Sequence, residues 1–313
     1  MLRRQALWLA CAVALWLPTA APGAILGDAN VRNPTLKIDS TGTALVEYTT
    51  ESGVRRHVLV WGAINGIPHP TDSPLGQERF GMDYSGGWKS RGNARYWRAF
   101  KNACRLYDGP KLPFFVAACK APDGSYWALQ AWQRNLPMRG YEPWTARQKG
   151  IELHVSHWTG ELPVLELYSR WTYNRSVQGI FGLLLYQGRP VYGTRTPSAK
   201  VRDEWARNVS IDTFNSDYGA GWRHDTAIAT HVRNGGFCYS FVHQPPPAFY
   251  PDPRPRGNGL GELHAVTAVG PGVTPIVQAV IPRLHGFDEA AQAAATRVFD
   301  EFLGNDKVCA RER

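Results

Sequence analysis

Two short stretches of the chain place a carboxylate and an indole at the same spacing. Asp83 and Trp88 lie in DYSGGWK (83–89), and Asp217 and Trp222 lie in DYGAGWR (217–223). A carboxylate accepts hydrogen bonds from sugar hydroxyls and an indole stacks on the apolar face of a sugar ring, so each pair is a candidate glycan contact. In the alternative interpretation the aspartate closes a turn, the glycines adopt backbone angles that other residues avoid, and the tryptophan fills the core. Because a fold reuses a turn more readily than a ligand site, the duplication favours the structural interpretation.

Two further tryptophans are candidates for stacking against a ligand. Trp144 in YEPWTARQ and Trp205 in DEWARN have polar neighbours, whereas Trp127 and Trp171 alternate along predicted strands as core residues do. The candidate ligand-binding residues are therefore Trp144, Trp205, Asp83, Trp88, Asp217 and Trp222.

The histidines of ELHVSHW (152–158) do not predict a metal site. On a strand, residues three apart face opposite sides, so His154 and His157 diverge. Glu152 and His154 share the other, polar face, where an exposed Glu/His pair is ordinary. No metal site and no cofactor are predicted.

Known catalytic patterns are also missing from the sequence. It contains neither Gly-x-Ser-x-Gly nor His-Glu-x-x-His. A pair of carboxylates remains open, because the acids of a glycosidase come from distant strands. The available carboxylates are Glu47, Glu166, Asp83, Asp212 and Asp217, of which Glu166 and Asp212 are expected to face solvent.

The elements that would position these residues are mainly strands. ALVEYTT, RHVLVWGAI, ELHVSHW, VLELYSRWTY and GFCYSFV are rich in β-branched and aromatic residues with a period of two. The Thr-Gly, Asp-Gly and Asn-Gly-Gly sequences between strands are typical of hairpin turns. In RYWRAFKNACRLY (95–107), the spacing of apolar residues allows a short helix.

Landmarks recur in the same order on either side of residue 140. They include LKIDSTGTALVEY and LHVSHWTGELPVLELY, the two Asp-Tyr motifs, and the hairpins CKAPDGSYWALQAW and THVRNGGFCYSFVHQ. We therefore expect a tandem duplication, with one β-unit over 33–135 and a second over 150–244. The predicted fold is mainly β, with the two pseudo-repeats packed as a sandwich or double sandwich.

The remainder of the chain adds a linker and a C-terminal unit. Residues 245–260 are rich in proline and predict an extended linker. In 261–313, ELHAVTAV and PIVQAVI predict two strands packed on the body, and FDEAAQAAATRVFDEFLG (287–304) predicts a helix. Its predicted buried stripe consists of Phe287, Ala291, Ala295, Val298, Phe302 and Leu303.

The first 24 residues have the layout of a secretory signal peptide. A basic start, MLRR, is followed by the apolar run ALWLACAVALWL and a tract of small residues. The expected location is therefore extracellular. Four cysteines remain after processing, and in an exported chain they predict two disulfides, Cys104–Cys119 and Cys238–Cys309.

Charge and hydropathy limit the partners. The formal net charge is +9, or +7 without Arg3 and Arg4, but the basic residues are scattered, so no nucleic-acid partner is predicted. No segment of the mature chain is long and apolar enough to form a transmembrane helix.

Several segments together resemble a group of secreted, β-rich actinobacterial proteins with no assigned function. They are FKNAC, KAPDGSYWALQ, DTFNSDYGAGW and VGPGVTP. The resemblance implies export and carries over no activity and no site residue.

Three functions remain as hypotheses. The first is a non-catalytic binder of extracellular or cell-wall glycans, the second a secreted glycan hydrolase with paired carboxylates, and the third a structural or interaction protein of the envelope. Exposed tryptophans would favour the binder.

Overall fold

The chain folds mainly into antiparallel β-sheets. In the computed structural model, 55% of the described residues lie in strands. The structure describes residues 25–64, 80–133, 150–171, 177–186, 189–190, 208–216, 219–224, 227–231, 236–241, 263–269, 275–281, 289–290, 293–294 and 297.

In chain order, the strands before residue 160 are β1 (Ile25–Ala29), β2 (Arg32–Ile38), β3 (Ala44–Thr49), β4 (Arg55–Gly62), β5 (Phe80–Asp83), β6 (Phe115–Lys120), β7 (Tyr126–Trp132) and β8 (Glu152–Trp158). The later strands are β9 (Val164–Trp171), β10 (Val177–Tyr186), β11 (Arg189–Pro190), β12 (Asn208–Ser216), β13 (Gly219–His224), β14 (Ala227–His231), β15 (Gly236–Phe241), β16 (Leu263–Val269) and β17 (Val277–Ile281). A single helical turn, α1 (Trp88–Arg91), and a 3₁₀ turn (Tyr96–Ala99) lie between β5 and β6.

The strands form four sheets. Sheet I has the order β1-β8-β7-β6, and sheet II has the order β2-β3-β4-β5. Sheet III has the order β11-β10-β15-β14, with β9 also paired to β10, and sheet IV has the order β13-β12-β16-β17. The predicted β character is therefore confirmed.

Sheets I and II contribute to one buried hydrophobic cluster. Alternate residues of β3 and β4 point into it, and on sheet I the alternate residues of β7 and β8 do the same. The fully buried members of this cluster include Ile38, Val46, Tyr48, Val58, Val60, Trp127, Leu129 and Val155. Trp127 is thus a core residue, as its place in the alternation predicts.

The turns follow the local chemistry of the sequence. Between β2 and β3, Asp39 accepts hydrogen bonds from the backbone N–H groups of Thr41 and Thr43, and Gly42 has φ 79°. The Asp-Gly turn between β6 and β7 has Gly124 at φ 89°. Glycine reaches such angles at little steric cost, so both predicted hairpins form.

A buried side chain ties sheet I to the segment that enters β17. Gln130 is fully buried, and its Nε2 donates to the carbonyl oxygens of Pro113 at 2.8 Å and Ile276 at 2.9 Å. The backbone N–H of Ile276 donates to Gln130 Oε1 at 2.7 Å. Ile276 is also fully buried and packs against Trp132 and Phe114. The C-terminal strands therefore dock on the N-terminal half of the chain.

Other predictions need correction or are not confirmed. The Thr-Gly turn at 159–160 does not close a hairpin, because β8 pairs in sheet I and β9 pairs in sheet III. In 95–107, where the spacing of apolar residues allows a short helix, the structure has a 3₁₀ turn over Tyr96–Ala99. The tandem duplication and the sandwich stay predictions, although the paired landmark hairpins β6–β7 and β14–β15 both form.

Several predicted segments lie wholly or mainly outside the described residues. These are the signal peptide 1–24, the linker 245–260, the partner cysteine Cys309 and most of the helix 287–304. The two strands predicted after the linker do form, as the antiparallel pair β16 and β17.

Candidate functional site: a strap across sheet II

The segment between β5 and β6 crosses the outer face of sheet II. We call residues 84–105 the strap. Leu45 and Leu59 alternate with the residues that point into the core, so they point away from it, yet both are fully buried. The strap contacts this face at several points, and its outward residues form the candidate site.

Asp83 holds the start of the strap. Its side chain is 2% exposed, and its two oxygens accept from the backbone N–H and hydroxyl groups of Ser85 and Ser90. Burial alone would raise the pKa of Asp83, but these four hydrogen bonds outweigh burial and lower it to about 2. A carboxylate used in this way stabilises a turn and is not free to bind a sugar hydroxyl.

The two glycines after Ser85 allow the strap to fold back on itself. Gly87 has φ 110°, and a Cβ atom there would lie 2.5 Å from Tyr96 Cβ and 2.8 Å from the Asn93 carbonyl oxygen. Gly86 has φ 69°, close to the indole of Trp97. No side chain larger than hydrogen fits at Gly87 without a shift of its neighbours.

Trp88 follows this turn and points outward. It is the first residue of α1, and 63% of its surface is exposed. The structural interpretation of the motif, in which the tryptophan fills a core, is therefore wrong for Trp88. The predicted Asp-Trp pair is divided, with the aspartate inside and the indole in solvent.

The middle of the strap is fixed by a stack of side chains. The rings of Trp97 and His57 lie 3.7 Å apart and within 8° of parallel. His57 Nδ1 lies 2.9 Å from Glu47 Oε1, and Lys37 Nζ lies 2.6 Å from Glu47 Oε2. Burial opposes ionisation of Glu47, but its contacts with Lys37 and His57 outweigh burial and lower its pKa.

The far end of the strap is covalently fixed. Cys104 and Cys119 form the predicted disulfide, and Cys119 is a buried residue of β6. Next to it, Arg105 and Lys120 form a backbone bridge with hydrogen bonds in both directions. Asn102 adds a further contact, since its Oδ1 accepts a hydrogen bond from the backbone N–H of Ile38. The strap is therefore anchored at its start, middle and end.

The second Asp-Tyr motif has a different local structure. Trp222 lies in β13, opposite Phe214 of β12, in a hairpin rather than before a helical turn. Its side chain is 37% exposed, so it too is not a core residue. Asp217 lies outside the described residues. The aligned glycines Gly87 and Gly221 nevertheless share a positive φ, 110° and 76°.

The other two predicted stacking residues lie outside the described residues, and one of the predicted carboxylates is buried rather than exposed. Trp144 and Trp205 lie outside the described residues. Asp212 is 4% exposed, which corrects the expectation that it faces solvent, and Glu166 is half-buried. Cys238 lies in β15, whereas its predicted partner Cys309 is outside the described residues.

The histidines of β8 are both buried. His157 faces Trp127, with the rings 3.9 Å apart, and its Nδ1 donates to the carbonyl of Gly62 at 2.9 Å. Its Nε2 lies 2.8 Å from Ser125 Oγ, and burial lowers its pKa. His154 is 2% exposed, so the expectation of an exposed Glu/His pair is wrong. Among the described residues, no three His, Cys, Asp or Glu side chains are grouped to hold a metal ion.

Most residues of the strap were not predicted from the sequence as candidate site residues. Trp97 and Trp61 were not among the predicted candidates. Trp61 is 37% exposed and lies against Gly81. One signal was readable: no Asp or Glu occurs between Asp83 and Asp108, while basic residues recur throughout. Only the structure shows that these residues share one surface.

Comparisons with known proteins identify no relative. No family model, curated protein or solved structure matches the chain. Within the described residues, no helix has the length and apolar character needed to cross a membrane.

Proposed function

We propose that the protein is an exported, non-catalytic binder of extracellular or cell-wall glycans and that Trp88 is its main stacking residue. The observation that carries the proposal is the 63% exposure of this indole on an anchored turn. Tryptophan is among the residues most enriched at the hot spots of binding surfaces. Export is supported by the signal-peptide pattern and by the Cys104–Cys119 disulfide.

The anchoring of the turn also supports binding. Asp83 fixes both ends of the segment that contains Trp88, and Gly87 packs against Tyr96. Because the turn that carries the indole is already fixed, little backbone freedom is lost when Trp88 stacks on a ligand. The common hydrophobic cluster of sheets I and II further supports a β-sandwich as the rigid platform.

The experiment is a sedimentation assay with chitin, cellulose and purified bacterial cell walls. Trp88→Leu keeps an apolar side chain but removes the aromatic face. We expect it to weaken binding by about 5- to 150-fold, since a stacking contact at a binding site contributes about 1–3 kcal/mol. Trp144→Ala and Trp205→Ala test the other predicted stackers in the same assay.

The matched control is Leu106→Ala, which removes an apolar side chain that is 90% exposed just beyond the strap. It should bind like the wild type. Retention of Trp88→Leu at the wild-type level, or no retention of the wild type by any polysaccharide, would refute the proposal.

The hydrolase alternative has less support from the described carboxylates. Asp83 is buried and uses both oxygens in the turn, and Glu47 is held ionised by Lys37 and His57. Neither is suited to be the general acid of a glycosidase, which needs a raised pKa. The envelope interaction protein remains the alternative if no glycan binds.

A further inference from the structure

The strap carries a concentrated positive charge. From Tyr84 to Tyr107 the chain has six cationic side chains and no acidic one. All six are exposed: Lys89, Arg91, Arg95, Arg98, Lys101 and Arg105. The charge of the whole chain is scattered along the sequence, but this surface has a single sign.

Among the described residues, no carboxylate neutralises this surface. Asp83, at its start, is buried against Ser85 and Ser90. Asp108, just beyond its end, binds Lys120 at 2.8 Å and Tyr126 at 2.9 Å. The ion pairs found in the described part of the chain involve none of the six strap cations.

Aromatic rings lie among these charges and orient some of them. The guanidinium of Arg91 lies 5.6 Å above the ring of Tyr96, and that of Arg98 lies 5.1 Å above Trp97. Arg91 also donates to Thr43 Oγ1 at 3.0 Å. Arg91 lies three residues after Trp88 in the single turn of α1, so its charge is held close to the exposed indole.

We propose that the strap selects an anionic polysaccharide, with the cations pairing with carboxylates of the polymer while Trp88 stacks on a sugar ring. This inference rests on the proposed function and narrows it to acidic glycans. An unpaired cationic surface favours an anionic ligand through charge complementarity, and arginine suits carboxylates because it binds them with two hydrogen bonds. The export pattern favours a polysaccharide over a nucleic acid as the polyanion.

The test compares two polymers that share one sugar backbone and differ in whether the carboxyl groups are charged or methyl-esterified. Binding of the mature protein to polygalacturonate and to its fully methyl-esterified form is measured by calorimetry. We expect the anionic polymer to bind about tenfold more tightly in 0.1 M salt and this preference to vanish near 1 M, because the screening length falls from about 10 Å to about 3 Å.

A matched pair of triple variants separates local from overall charge. Lys89→Gln, Arg95→Gln and Lys101→Gln together remove three strap cations, and this variant should lose the preference for the anionic polymer. Arg32→Gln, Arg55→Gln and Lys111→Gln remove three exposed cations elsewhere, and this variant should keep it.

Other results of these binding measurements would contradict either the anionic preference or glycan binding itself. Equal loss in both triple variants, or equal binding of the two polymers with dependence on Trp88 retained, would overturn the anionic preference and leave glycan binding intact. Tighter binding to a mixed-sequence DNA duplex than to polygalacturonate would identify nucleic acid as the polyanion. No binding to either form of polygalacturonate would overturn this inference, and it would contradict the proposed function only if chitin, cellulose and cell walls also fail to retain the protein.

Discussion

Asp83 and Trp88 lie five residues apart in one motif, yet their environments are opposite. The carboxylate accepts four hydrogen bonds inside the turn, whereas the indole points into solvent. The stability that Asp83 provides depends on its ionised form. Its pKa is about 2 in the folded chain and ordinarily near 3.8, so this stability is complete above pH 4 and is lost as the pH falls toward 2.

The first prediction concerns Asp83→Asn. The amide would place N–H groups against the donors of Ser85 or Ser90, so we expect the free energy of unfolding at pH 7 to fall by about 2 kcal/mol. Urea denaturation at pH 7 and at decreasing pH measures this. The wild-type and variant curves should converge toward pH 2, and a constant difference over the whole range would show that ionisation of Asp83 is not the cause.

Residue roles could be predicted only where their partners are local. Ser85 and Ser90 lie two and seven residues after Asp83, so the sequence alone could predict that Asp83 closes a turn. His57 stacks on Trp97, forty residues away in the sequence, and also contacts Glu47, ten residues away; no local pattern predicts these contacts. Exposure of Trp88 depends on the direction in which the turn leaves β5, which the sequence does not specify.

Among the elements, the strap depends on close packing at Gly87. We predict that Gly87→Ala destabilises the protein by about 2–4 kcal/mol, because its Cβ would overlap Tyr96 and the carbonyl of Asn93 in addition to straining φ. Gly92→Ala is the matched control, with φ 67° and no atom within 4 Å of the added Cβ, and should cost only about 1 kcal/mol. Thermal unfolding compares the two variants, and equal losses would rule out close packing as the reason for Gly87.

The disulfide at the end of the strap gives a separate prediction. Cys104→Ser with Cys119→Ser opens a loop across a separation of 15 residues, which should lower the free energy of unfolding by about 3 kcal/mol. Guanidinium denaturation of the double variant tests this. If the reduced wild-type protein retains the stability of the oxidised form, the covalent anchor is unimportant.

Strands were more predictable than their partners. The period of two identified β3, β4, β8, β9 and β15 because each alternates side chains between two environments. The period of two could not predict that β8 and β9 belong to different sheets. A Thr-Gly turn joins two strands of one sheet in the first half of the chain, whereas in the second half it joins strands of two sheets. Strand pairing depends on which strand edges are free elsewhere in the molecule, and the local sequence contains no information about those edges.

At the scale of the whole molecule, Gln130 couples distant parts of the chain. We predict that Gln130→Leu lowers the free energy of unfolding by about 2–4 kcal/mol, because it leaves the buried N–H and carbonyl of Ile276 without their partner. The control is Gln278→Leu in the same region, where the exposed side chain makes a single hydrogen bond, to Thr267 Oγ1 at 3.2 Å, and the change should cost no more than about 1 kcal/mol. Urea denaturation decides between them, and similar values for both would contradict a coupling role for Gln130.

The contact between Gln130 and Ile276 also sets an order of events during synthesis. The two residues are 146 positions apart, and at about 5–20 residues per second the ribosome needs roughly 7–30 s to travel from one to the other. Throughout that interval Gln130 lacks its two hydrogen bonds with Ile276. Sheet I can therefore reach its native packing only after the chain has grown past residue 276, so its last folding step comes late in translation or follows it.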